Sequence, residues 1–129
     1  MAFRTPIGKA VGWGSAHTGT GHWWLQRVTA LALIPLTLWL VWFLVCLLRA
    51  DYPAVHARLA NPWQSDLLLA YLLTAGYHAA LGLQVIIEDY IHHPAVRVGV
   101  LLTVRLGLAF LMLVATLAVV KIVAGGGNP

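Results

Sequence analysis

One histidine stands where an apolar chain has little use for it. His78 lies inside an uncharged run over 67–87, eleven residues after Leu67 and eleven before Asp89. A helix of that composition crosses a bilayer with the imidazole near the midplane, where a polar ring needs a partner. Two kinds of partner suit it. A backbone carbonyl or a neighbouring helix would make the residue structural. The iron of a haem would make it a ligand, because neutral imidazole is a standard axial donor and a membrane interior accepts a flat apolar macrocycle.

The spacing around His78 bears on that choice. Gly82 is four residues on, on the same helical face, where a missing side chain lets something broad lie against the backbone. Ala75 and Ala79 keep the surroundings small, yet small residues are also how membrane helices approach one another, so a plate and a second helix both fit. Asp89 is eleven residues past His78. At roughly 100° per residue this returns to about the same face, about 16 Å nearer one membrane surface. Tyr90 follows with a phenolic donor at the boundary between apolar groove and water. Interfacial anchoring and capping explain Asp89 and Tyr90 as readily as a binding site does. Arg27 and Arg105 enter at the level of Glu88 and Asp89, where they can neutralise the carboxylates or hold the two carboxylates of a haem. The other histidines, His17, His22, His56, His92 and His93, fall in end or loop segments. A haem with two histidine ligands therefore takes its second from another chain, which implies a hetero-oligomer.

The elements that must position these residues follow from composition. The 129 residues are 60% hydrophobic and 9% charged, against about a quarter charged in soluble domains. Lipid is part of the solvent. Three apolar runs each approach the length needed to cross about 30 Å of hydrocarbon, predicting helices over 28–48, 67–88 and 98–123 in a single domain over 1–129, with flexible ends over 1–20 and 125–129. The fold class is all-α, an integral membrane bundle of three transmembrane helices. Pro35 predicts a kink in the first span. Arg105 and Lys121 are expected to snorkel to opposite headgroup layers. No stretch is left for a separate catalytic unit.

Charge and aromatic residues orient the spans. The formal charge of +4 comes from eight singly scattered basic residues, with no stripe for nucleic acid. Arg4, Lys9 and Arg27 before the first span against Arg49 and Arg58 after it put the amino terminus in the cytoplasm and the carboxyl terminus outside. Trp23, Trp24 and Trp63 suit interfacial belts, while Trp39 and Trp42 lie deep enough to pack against protein or ligand. Cys46 is the sole cysteine, which excludes a disulfide framework. The absence of a targeting presequence favours a bacterial inner membrane.

The run from His78 through Gly82, Gln84-Val85 and Asp89-Tyr90 to His92 resembles the second-helix signature of the small hydrophobic membrane-anchor subunit of succinate dehydrogenase (complex II). The segment from His22 to Ala30, followed by Leu33 to Leu36, is similar to that family's entry into its first helix. The resemblance implies half of a two-chain haem-binding anchor, completed by a second three-helix cytochrome b subunit and carrying an iron–sulfur subunit and a flavoprotein subunit. It implies that His78 is an axial ligand of haem b, with Gly82 packing near it and Arg27 near the propionates. It further implies that Tyr90 hydrogen-bonds a ubiquinone carbonyl, with Asp89 shaping or protonating that region. No flavin-binding or cluster-binding motif is present, so the chain does not oxidise succinate alone.

Two other readings compete. A haem-free structural subunit of another membrane complex would use His78 only as a hydrogen-bonding residue between helices. A small proton conductor would use His78 with Asp89, but the other spans lack matching intramembrane ionisable groups.

Overall fold

The computed structural model describes the backbone of residues 16–125 and the side chains of 20–125. The flexible ends expected from sequence lie largely outside the described residues; 16–20 and Gly125 are helical. Four helices make up the described chain: α1 (Ala16–Leu47), α2 (Tyr52–Ala60), α3 (Pro62–Tyr90) and α4 (Pro94–Gly125). Three of them are long and apolar enough to cross a membrane, so the described fold is all-helical with three candidate spans.

The helix ends follow local chemistry more than hydropathy. Asp51 caps α2 by accepting a hydrogen bond from the Ala54 amide at 3.2 Å, and Pro53 sits in the first turn, where its missing N–H costs nothing. Asn61 serves two helices. Its backbone N–H closes α2 on the Arg58 carbonyl, and its side chain caps α3 by accepting from the Trp63 amide at 3.1 Å. Pro62 and Pro94 each start a spanning helix, so the second and third spans begin earlier than their apolar runs. The α3 to α4 connection is only 91–93, which forces those two helices antiparallel. The first span runs unbroken through Pro35.

Helix α3 is the centre. It packs along α1 on one side and α4 on the other, with α2 resting on α3 and α4. Gly76 packs tightly under α4, where an added Cβ would overlap Met112 Sδ and lie 2.7 Å from its Cγ. Phe43, Leu81, Ile87 and Val119 form the small buried apolar core, and Phe43 stacks on Trp39 at 5.2 Å between ring centroids. Large apolar side chains cover the outside, among them Leu31, Leu38, Leu106 and Phe110. In water such a surface would drive association; in a bilayer it is the solvated face. Trp42 is 56% exposed, so much of its ring faces away from this chain.

Candidate functional site

The site is built on the α1–α3 contact. Thr29 and Gln26, one turn apart on α1, face His78 and Gly82, one turn apart on α3 in the opposite direction, as antiparallel packing requires. The Thr29 hydroxyl is 2.8 Å from His78 Nδ1. It also lies 2.8 Å from the Leu25 carbonyl and 3.2 Å from that of Gln26, the back-bonding that lets a threonine sit inside a membrane helix. On the other side of the ring, the Gln26 amide nitrogen is 3.4 Å from His78 Nε2. The same amide lies over Gly82, where an added Cβ would meet it at 3.5 Å. Gln26 Oε1 is buried without a partner.

Both imidazole nitrogens are thus engaged within the chain, by bonds of unequal quality. The Nδ1 contact is short. The Nε2 contact is at the long end of the hydrogen-bond range, made by a flexible side chain whose own carbonyl is unsatisfied, so its loss costs little. A nitrogen donor whose hydrogen-bond partner is one long-range amide, beside a residue without a side chain, is compatible with the face of a haem. Among the described residues no three histidine, cysteine or carboxylate side chains cluster to hold a bare metal ion.

Towards the end of α3 the polar residues separate. Arg105 Nη2 donates to Gln84 Oε1 at 2.7 Å, and Gln84 Nε2 donates to Glu88 Oε1 at 2.8 Å. Arg105 therefore reaches the carboxylate through Gln84, and α4 is tied to α3 by that bridge. Arg27 does not join it. Its guanidinium lies over the Trp23 ring, 4.9 Å from the centroid, and is exposed. Asp89 is exposed and Tyr90 is 80% exposed at the last residues of α3. The structure thus brings His78 and Gly82 together with α1 and leaves Arg27, Asp89 and Tyr90 facing outward. A cavity of about 650 Å³ has a lining that includes His22, Leu25, Tyr77, Leu81, Gln84 and Arg105, and none of His78, Gly82, Arg27, Asp89 and Tyr90.

Three residues of this region were not singled out by sequence reasoning: Thr29, Gln26 and Gln84 as a bridge. A signal for the first two was present. His22, Gln26 and Thr29 recur at i, i+4 and i+7, a polar stripe on one face of an otherwise apolar helix. That stripe meets α3.

A sequence model described as the succinate dehydrogenase/fumarate reductase transmembrane subunit matches residues 1–122. The chain belongs to that family. Curated relatives agree with it. A succinate dehydrogenase hydrophobic membrane anchor subunit of Rickettsia bellii is 40% identical over 104 residues, covering 81% of this chain and 83% of the relative. Its counterpart in Rickettsia conorii is 36% identical over 105 residues, 81% and 83% of the two chains. The protein of the same name from Paracoccus denitrificans is 29% identical over 112 residues, 84% of each. No solved structure gives a significant match. Within the succinate dehydrogenase/fumarate reductase family, then, this chain is a multi-pass, all-helical membrane member. Its described helices place His78 on the central span and Tyr90 at that span's end.

Proposed function

We propose that this chain is the haem b- and ubiquinone-binding membrane anchor of a succinate:ubiquinone oxidoreductase, passing electrons from succinate oxidation to the quinone pool. The observation that carries the proposal is His78: a spanning-helix imidazole whose Nε2 has the Gln26 amide at 3.4 Å as its long hydrogen-bond partner, one turn from Gly82. Coordination through Nε2 requires that amide to swing aside. Bound there, haem b supplies a one-electron carrier within the membrane. The second axial ligand comes from a second three-helix anchor subunit, as the resemblance implies; His22, expected in an end segment, lies inside the first candidate span Thr20–Leu47, where it lines the cavity beside Gln84 and Arg105.

Tyr90 and Asp89 act at the interface. Reducing a quinone takes two electrons and two protons, so its carbonyls need donors at a depth water reaches. Tyr90, 80% exposed on the last residue of α3, presents its phenol to a quinone carbonyl oxygen, and Asp89 beside it accepts and returns protons. Arg27 is the cation for haem propionates. It is free to turn to them because its present partner is the face of Trp23, a contact worth about 0.5–1 kcal/mol at an exposed site. The iron–sulfur and flavoprotein subunits complete the assembly on the cytoplasmic side of a bacterial inner membrane, with the amino terminus of this chain on that side and its carboxyl terminus in the periplasm.

A second reading has its own observation. Thr29 and Gln26 already engage both nitrogens of His78, as a haem-free structural subunit would require. Purifying the complex through this chain separates the two. Co-purified flavin, iron–sulfur protein, a second anchor and a low-spin b-type spectrum are expected. A fully active quinone reductase with no haem would select the structural reading.

A further inference from the structure

We propose that Thr29 is a positioning residue for His78, fixing the tautomer and ring plane that present Nε2 to iron and lowering the reduction potential of the haem. The inference rests on the reading of His78 as an axial ligand.

The proton count on the two partners decides the tautomer. Thr29 has a single hydroxyl proton, and two helix carbonyls that can only accept lie 2.8 and 3.2 Å from its oxygen. That proton goes to the carbonyls. The oxygen then offers a lone pair to His78 Nδ1 at 2.8 Å, so Nδ1 carries the ring proton and donates it. The Gln26 amide nitrogen, 3.4 Å from Nε2, is compatible with a lone pair there. The Thr29 contact assigns the neutral form in which Nε2 can bind a metal.

Thr29 has the further effect expected of a group behind a metal-bound histidine. An Nδ1–H that donates to a fixed oxygen makes the ring a stronger donor and favours the higher oxidation state of the metal. The oxygen here is itself polarised by its bond to a backbone carbonyl, which strengthens what it accepts. Position matters as much. Because Thr29 sits one turn from Gln26 on α1, the ring is pinned with Nε2 turned toward the space above Gly82, where the amide now lies. A ring free to rotate would present either nitrogen.

The test uses the whole complex and reads the haem midpoint potential beside the reduced-minus-oxidised spectrum, in Thr29→Val, Thr29→Ser and His78→Leu. Valine keeps the bulk and loses the oxygen; serine keeps the oxygen. Removing the hydrogen-bond partner behind a metal-bound histidine costs about tenfold or more in metal affinity or activity; the lost ligand basicity falls chiefly on the ferric state, and each tenfold loss there relative to ferrous iron raises a one-electron potential by about 59 mV. Thr29→Val is therefore expected to keep haem with a potential raised by about that amount, and Thr29→Ser to keep the parent value. A Thr29→Val potential equal to the parent, in a complex whose haem His78→Leu removes, overturns the role of Thr29 and leaves the ligand reading standing. Haem that survives His78→Leu unchanged overturns the ligand reading and this inference with it. Should valine expel the haem, serine must restore both haem content and potential; its failure to do so also refutes the proposal.

Discussion

Gly76 and Gly82 are six residues apart on the same helix, and the packing predicts opposite responses to the same change. At Gly76 an alanine Cβ would overlap Met112 Sδ and lie 2.7 Å from Cγ, the middle of the methionine rather than its free end. The methionine must adopt another rotamer or α4 must move out, and overpacking of this kind costs about 1–3 kcal/mol. Helix propensity returns at most about 1 kcal/mol on replacing glycine by alanine. Gly76→Ala is expected to destabilise the α3–α4 pair by up to about 2 kcal/mol, a shift of about thirtyfold in the folded ratio. At Gly82 the new Cβ would meet only the Gln26 amide at 3.5 Å, an ordinary contact, so Gly82→Ala is expected to be neutral or stabilising in the chain by itself. The assay is unfolding of the reconstituted chain in mixed detergent micelles with rising dodecyl sulfate, followed by helical circular dichroism. Met112→Ala should remove the cost of Gly76→Ala, giving a coupling energy of about 1–3 kcal/mol in the double-mutant cycle. Equal effects at the two glycines, or a cost at Gly76 untouched by Met112→Ala, would refute the packing argument.

Other perturbations probe the remaining contacts. Gln84→Leu removes both bonds of the Arg105–Gln84–Glu88 bridge; the bond to Arg105 crosses between helices, where polar contacts average about 0.6 kcal/mol and reach about 1.7, and the bond to Glu88 lies within α3 and adds about 0.2–0.5 kcal/mol, so a loss of about 1–2 kcal/mol in the same assay is expected, and Arg105→Leu should add little once Gln84 is gone. Asn61→Ala strips the side-chain cap of α3 and should cost about 1 kcal/mol, seen as faster amide exchange at the start of that helix. Tyr90→Phe should impair ubiquinone reduction in the complex while reduction of an artificial dye by the soluble subunits survives; equal retention of both activities would remove Tyr90 from the quinone site.

The spans were legible in the sequence because 18 or more apolar residues have few uses other than crossing lipid. Their ends were not. Hydropathy places the first helix from 28, whereas it begins at Ala16, because His22, Gln26 and Arg27 satisfy their backbones in a helix as well as any leucine does. The helix Tyr52–Ala60 hid in the loop before the second span: nine residues are too few for periodicity to register. Its signal lay in the punctuation instead, Asp51 before Pro53 and Asn61 before Pro62. His78 was legible as a polar residue at the midplane, but the identity of its neighbours was not. Thr29 meets His78 across 49 residues of sequence, and only the register of α1 against α3 selects it over the other polar residues of the first span. Arg27 illustrates the converse: its position near the end of the span was readable, its stacking on Trp23 four residues earlier was not.

In the proposed function the imidazole of His78 binds haem iron. Its most direct test is the haem stoichiometry and reduced-minus-oxidised optical spectrum of the purified complex carrying His78→Leu, set beside His92→Leu and His93→Leu in the exposed α3–α4 connection. The b-type signal is expected to be lost or converted to a different spin state in His78→Leu alone, with the two loop variants matching the parent. A full complement of haem with an unaltered spectrum in His78→Leu would contradict the claim.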